Sequence, residues 1–536
     1  MKRLAFLVIA LLVLGSLFFT NCGGSTTTTT TPSSTTTSPS GTTTSPTATP
    51  TSTIKTGGTM RVIYLDYPSN LSYVPEQNLA DESFAKSYAE TLIYWAGDGQ
   101  FKPELAESWD IDEQNLTLTF HLQHGVTFQD GTPFNSGAVM KNVQLLIDNK
   151  RLANGQYVDS ISAPDDYTFV YHLNAMFTPQ MMLHSYGYNL LTMFSPTALE
   201  QNGKDWCVTH FVTTGPFKFE SFERDVSMKM TRYDNYWRGG QFPYLDGIEF
   251  IFVADATIAA TKMQAGEGDV ASGLPLKEAL DLENLGYNGI PQRGGFYTDL
   301  IPDTASPDSV FADVRVREAI EYAIDRDALA AAIGYGKLHA VKSTGPEGTQ
   351  GYDPNFAIRE YNPQKAMQLL TDAGFPNGFQ TTIYQLQGNT DETEAIQGFL
   401  SEVGITADIQ AEDPGKFFGR IYGEGWPGGL LFFSSPIDPE FAIGWFVHFG
   451  PQPIFPYVSL KWPDGYAALL EAVRVAPTID QMHQATQKLM TFVSNSACVI
   501  PLHDTFGIYI TADYVHTQRN QDHFMVWHTY LDWMDK

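Results

Sequence analysis

From Ser25 to Thr53 the chain consists almost entirely of Thr, Ser, Pro and Gly. No packed structure can form across such a stretch, because it offers too little apolar area to offset its ordering entropy. Whatever folds cooperatively must therefore begin after it, at about Gly57. The stretch reads as a tether, and flexible-chain scaling gives it a reach of about 30 Å. Ahead of it, Lys2 and Arg3 precede an apolar run, Leu4 to Phe19, shorter than a spanning helix and flanked as a targeting segment is. Cys22, followed by Gly23 and Gly24, stands where lipoprotein precursors carry the cysteine that is diacylated, although Phe19, Thr20 and Asn21 depart from the usual residues before it. Residues 1–22 are expected to direct export and 23–56 to tether. The body is then extracytoplasmic, held at the outer face of a bacterial cell membrane, in a periplasmic space if an outer membrane exists.

At 536 residues the chain exceeds what one core supports, so two or three domains are expected. An aromatic content of 13% and a hydrophobic content of 43% exclude a disordered or fibrous protein. A net charge of -28 repels phosphate backbones, which argues against a nucleic-acid partner, and the same acidity serves solubility. With Cys22 lipidated, Cys207 and Cys498 remain as a possible disulfide. Closing so long a loop would stabilise by about 5 kcal/mol, but spacing alone leaves open whether the two meet.

Local patterns give the body's elements. Gly57-Gly58-Thr59 leads into a strand at Met60 to Leu65; Leu116 to Leu122 alternates as a strand, Asp130-Gly131 marks a turn, and Tyr167 to Leu173 is a further strand. Val314 to Ile333 carries helical spacing up to Gly334, Asn362-Pro363 starts a helix that ends at Gly374, and Glu392 to Val403 is a helix that hands over at Gly404 to the strand Ile405 to Ile409. Helix, Gly and strand in repetition predict an α/β layer with parallel strands.

Several segments, in order, resemble the family 5 extracellular solute-binding proteins of ABC importers. They are Leu105-Ala106-Glu107-Ser108-Trp109, Gly125 through Phe134, Gly215-Pro216-Phe217 with Tyr233, Asn235, Tyr236 and Trp237, and Val314 through Ile320 with Ala323 through Arg326. The resemblance implies an α/β fold of the periplasmic-binding-protein type II: two lobes joined by hinge strands, with an extra domain inserted in the first lobe. The expected bounds are 57–100, 213–305 and 499–536 for the first lobe, 101–212 for the inserted subdomain and 306–498 for the second lobe. It also implies a solute enclosed between the lobes, an oligopeptide by family with a sugar or a metal chelate as alternatives, a monomeric protein, and a permease with ATPase subunits as partners. In peptide binders of the family an Asp on the second lobe pairs with the peptide's amino group. Ser435 falls in that slot here, Phe432 in that of a nearby Trp, and Asp438 keeps a second acid. A hydroxyl cannot supply the charge-assisted bond an ammonium needs, so recognition of a free amino terminus is in question. The ligand-binding candidates are Tyr297, Trp426, Phe433, Ser435 and Asp438.

Catalytic and cofactor signatures point elsewhere. Gly423, Gly425 and Gly428 match a dinucleotide fingerprint as a string, yet Pro427 interrupts it and it precedes an apolar strand. His121 and His124 would face opposite sides of a strand and could not share an ion. No catalytic residue, cofactor or protein-held metal is expected. Two other classes stay in view: an extracytoplasmic hydrolase of sugars or peptides using paired carboxylates, and a ligand sensor on the same fold.

Overall fold

The computed structural model describes residues 54–536 apart from 78, 97–99, 177, 183–184, 187–190, 292–295, 389, 437–444, 446–448, 450–456, 506 and 519–526. The export segment, Cys22, nearly all of the tether and Asp438 lie outside the described residues. The first strand, β1 (Thr59–Tyr64), follows the Gly pair directly. After a short pair, β2 (Ile93–Trp95) and β3 (Phe101–Pro103), comes a four-stranded antiparallel sheet. Its strands are β4 (Ala106–Asp112), β5 (Thr117–Leu122), β6 (Val158–Asp165) and β7 (Thr168–Leu173), ordered β4-β5-β7-β6. The alternation read in the sequence is real: Leu118, Phe120 and Leu122 are buried, and the helix Ser136–Asp148 covers that sheet.

The segments that carry the family resemblance brace this half of the molecule. Asp130 makes the expected turn, accepting from the Thr132 backbone N–H at 2.9 Å, and also holds the Ser195 hydroxyl at 2.5 Å. Gln129 donates to the carbonyls of Gly215 and Phe217 at 3.0 and 2.8 Å. A side chain at Gly215 would collide with the Tyr88 carbonyl, 2.2 Å from where its Cβ would stand. Tyr236 and Trp237 donate to the buried Glu90 carboxylate at 2.8 and 2.9 Å.

The chain then lays down β8 (Phe217–Glu223), β9 (Ser227–Arg232), β10 (Gly247–Phe252), β11 (Val270–Ser272) and β12 (Asn288–Pro291). It crosses to a second sheet of β13 (Phe296–Pro302), β14 (Gln380–Leu386), β15 (Thr406–Glu412), β16 (Leu430–Pro436) and β17 (Ile500–Asp504), and returns in β18 (Ile508–Thr511). The first-lobe sheet is ordered β12-β18-β11-β1-β10-β9-β8 and the second β15-β14-β16-β13-β17.

Several expectations need correction. β14 runs parallel to β15 and β16 as the helix-Gly-strand pattern implied, but β13 is antiparallel to both β16 and β17, so the second sheet is mixed. β13 and β17 were expected in the first lobe and belong to the second sheet; the chain changes lobes before Phe296 and after Asp504. The helix read from Val314 to Ile333 is two, Val314–Ala323 and Arg326–Ile333. Ile324 turns extended and Asp325 caps the second by accepting from the Ala328 N–H at 2.9 Å. Cys207 and Cys498 do not pair: both are buried and free, because Cys207 sits against Ser72 in the first lobe whereas Cys498 lies beside Arg317 in the second.

Close backbone approaches fix the second lobe. The helix Asp391–Glu402 ends at Gly404, whose φ of 90° needs no side chain. Gly378, leading into β14, packs so closely that a Cβ there would lie 1.7 Å from the Gly404 carbonyl oxygen.

The C-terminal segment is tied to the first lobe by Asp269, a fully buried carboxylate just before β11. It accepts from the Arg61 backbone N–H at 2.7 Å and side chain at 2.9 Å, from Tyr514 at 2.7 Å and from Lys536 at 2.5 Å. Burial pushes its pKa up, but the hydrogen bonds from Arg61 and Lys536 outweigh it and hold the group below the usual value. Stability from this site is therefore complete at neutral pH and lost as acid protonates it. Asp269→Ala is expected to cost about 3 kcal/mol, the low end for breaking a buried pair because Arg61 and Lys536 stay partly exposed. Urea denaturation at neutral pH checks this, and the cost should shrink in acid.

Candidate ligand-binding site

The register of the second sheet decides which side chains meet. On β13 and β16, Tyr297 stands opposite Ser435, Asp299 opposite Phe433 and Ile301 opposite Leu431. Side chains alternate across a strand, so these six share one face. That face carries an aromatic cluster in which Tyr297, Ile301 and Leu431 pack with Phe417, Trp426 and Tyr457, Phe433 partly buried against them. Leu300, Leu430 and Phe432 turn to the other face, beneath the helices. Phe432, in the slot of the family's Trp, thus points away from the cluster.

The walls are ring against ring: Phe417 and Phe433 at 5.6 Å between centroids, Phe433 and Tyr457 at 6.4 Å, and Trp426 and Tyr457 at 6.4 Å. Trp95 of β2, whose strand neighbour Ile93 packs into the core shared with β1 and β10, joins the same cluster.

Within this apolar surround lie six buried polar atoms with no hydrogen-bond partner among the described residues: Trp95 Nε1, the Tyr297 hydroxyl, both carboxylate oxygens of Asp299, Trp426 Nε1 and Ser435 Oγ. Buried polar groups are ordinarily paired, and each unmade bond costs about 1–3 kcal/mol. Such a concentration makes this face the candidate site.

Asp299 is the strongest of these. Burial pushes its pKa up to about 7, and the Ser435 hydroxyl, close by without a well-formed bond to it, is the one influence that eases its ionisation. Burial, and then the charge of Asp299, drives Tyr297 and Tyr457 well above the usual tyrosine value, so both stay neutral.

Sequence reasoning named Tyr297, Trp426, Phe433 and Ser435, and the structure brings all four together. It missed Asp299, Trp95, Phe417 and Tyr457. Asp299 carried a legible signal, an acid inside the apolar run Phe296 to Pro302. Trp95 carried none, since only tertiary contact places it. His121 pairs with Asp110 at 2.8 Å and the His124 ring lies tilted against Tyr167 at 3.7 Å between centroids, both away from this site.

A raised carboxyl pKa means the folded state holds its proton more tightly than the unfolded chain, whose Asp titrates at about 3.9. Asp299 therefore withdraws stability as pH rises from about 4 to about 7. Asp299→Asn, uncharged and the same shape, should melt higher than the wild type at about pH 8, with the gain fading towards about pH 4. A loss of stability at pH 8 would show instead that the carboxylate is bonded within the fold.

The comparisons with known proteins agree with this architecture. Residues 100–448 match the family described as bacterial extracellular solute-binding proteins, family 5 Middle. The glutathione-binding protein GsiB of Shigella flexneri serotype 5b is 31% identical over 399 residues, 71% of this chain and 74% of that protein. GsiB of Pectobacterium atrosepticum is 30% identical over 395 residues, with the same shares. Among solved structures, the Helicobacter pylori periplasmic binding protein DppA in complex with the peptide STSA superposes with a TM-score of 0.78 at 24% identity, covering 90% of this chain and 99% of that one. NikA of Brucella suis in complex with Fe(III)-EDTA gives 0.76 at 20% identity, covering 88% and 100%. By sequence and by fold, this chain belongs to the family 5 bacterial extracellular solute-binding proteins.

Proposed function

We propose that the protein captures a peptide-like solute between its two lobes and delivers it to an ABC permease driven by ATPase subunits. The observation that carries this reading is the set of six unpartnered buried polar atoms inside aromatic walls, with Trp95 of the first lobe closing on the second. Indole and phenol rings offer apolar faces with polar edges, which suit an amphipathic solute. Support also comes from the glutathione-binding relatives and from the peptide complex of the superposed fold.

Lipid on Cys22 and the Thr-rich segment after it would keep the body within about 30 Å of the membrane, close enough to meet a permease and free to turn. Closure of the lobes needs only a differential affinity of a few kcal/mol for the closed form.

A thermal-shift screen of the purified protein against glutathione, unblocked di- to pentapeptides, oligosaccharides and metal chelates tests the solute class. Ligand at about 100 times its dissociation constant adds about 2.7 kcal/mol of stability. Peptides are expected to raise the melting temperature; a shift confined to sugars or chelates overturns the peptide assignment. Cys22→Ser is expected to move the protein from the membrane fraction to the soluble extracytoplasmic fraction, and retention at the membrane would refute the lipid anchor.

A further inference from the structure

Resting on the solute-binding reading above, we infer that Asp299 is the charge receptor of the site and that the solute carries a compact ammonium group, which docks on the Asp299 carboxylate beside the Ser435 hydroxyl.

By resemblance, the acid that pairs with a ligand amine belongs at the position held by Ser435, and its replacement by a neutral residue argued against amine recognition. The register reverses that conclusion. Ser435 on β16 faces Tyr297 on β13, and Asp299 lies two residues further along β13 on the same face, the diagonal position of a strand pair. The negative charge has crossed one strand while staying on the face that the aromatic cluster covers.

The chemistry fits an ammonium. An ammonium presents three N–H donors and no acceptor. Here two unengaged carboxylate oxygens and one unengaged hydroxyl lie together, all buried. Among the described residues no cationic side chain acts on Asp299; burial and the Ser435 hydroxyl are the influences it feels. A buried carboxylate in that position is either protonated or waits for a cation from outside the protein. Phe433, opposite Asp299 in register, and Tyr457 beside it at 6.4 Å place aromatic rings close to the carboxylate, surroundings that suit a cation as well. A metal ion would need several ligating groups, and the described residues hold no cluster of three or more His, Cys, Asp or Glu able to bind one. The indole N–H groups of Trp95 and Trp426 are donors, suited to carbonyl or carboxylate oxygens elsewhere on the same solute.

The test measures affinity by calorimetry for glutathione, the tetrapeptide Ser-Thr-Ser-Ala and a degenerate tetrapeptide pool, each with its N-acetyl counterpart. Four proteins are compared: wild type, Asp299→Asn, Ser435→Asp, and Asp299→Asn combined with Ser435→Asp. N-acetylation and Asp299→Asn should each weaken binding roughly a hundredfold, the scale for truncating one side of a buried charge pair. The two losses should not add, so Asp299→Asn binds blocked and unblocked peptides alike. Because Asp299→Asn relieves an unpaired buried charge, it should fold at least as stably as the wild type while losing this binding, which a merely structural acid would not do. The combined variant returns the charge to β16 and should regain most of the affinity for unblocked peptide. If blocked peptides bind the wild type as tightly as unblocked ones, or Asp299→Asn keeps full affinity, the assignment of Asp299 falls while solute binding stands. Failure of every probe to bind the folded wild type would overturn both readings.

Discussion

The molecule depends on two antiparallel strand pairs, one in each sheet. In the first lobe β12 pairs with β18, from Asn288 opposite Thr511 to Pro291 opposite Ile508. In the second, β13 pairs with β17, beginning with Tyr297 opposite Asp504. Between them, Thr505 donates its backbone N–H to the Phe296 carbonyl at 2.6 Å and accepts from the Phe296 N–H through its hydroxyl at 2.9 Å. Each sheet thus holds one such antiparallel pair, and the Phe296–Thr505 bonds extend the second pair by one step. On its other edge β13 pairs with β16, and that register sets Tyr297 and Asp299 across from Ser435 and Phe433.

Two aspartates, equally hidden from solvent, show what the surroundings decide. Asp269 is enclosed by Arg61, Tyr514 and Lys536, each donating to it, and is held ionised below the usual range. Asp299 has both oxygens unengaged and is pushed up to about 7. The first is a structural clamp, satisfied by its own chain. The second costs the folded protein stability, a kind of cost that folds keep where function needs it.

What could be read in the sequence was local. The turn at Asp130-Gly131, the alternating strand ending at Leu122, the cap at Asn362 and the stop at Gly404 each follow from backbone and side-chain chemistry within a few residues, and each stands where expected. What escaped was set at long range. β13 reads as a continuation of the first lobe because nothing in Phe296 to Pro302 says which sheet will pair with it; its partners are more than a hundred residues away. Asp325 was hidden inside a run with helical spacing, and only its own side-chain cap reveals the break. At the site, the aromatic residues were legible as candidates but the acid was sought only in the family's slot on β16. Register, which sequence does not print, carries the charge to β13.

On the proposed reading, the placement of that charge also links binding to closure. Asp299 lies on β13 of the second sheet, while Trp95 of β2 brings an indole N–H with no partner among the described residues. A solute that donates to Asp299 and accepts from Trp95 satisfies both only when the lobes are together. Hydrogen bonds that exist in one state alone are the ones that shift an equilibrium. A bond involving a charged group contributes about 1.5–3 kcal/mol and a neutral one about 1. Two such contacts, with the area the rings bury, reach the few kcal/mol that a closing motion needs. On that reading, the groups that the fold leaves unsatisfied are the ones that give a solute its preference for the closed form.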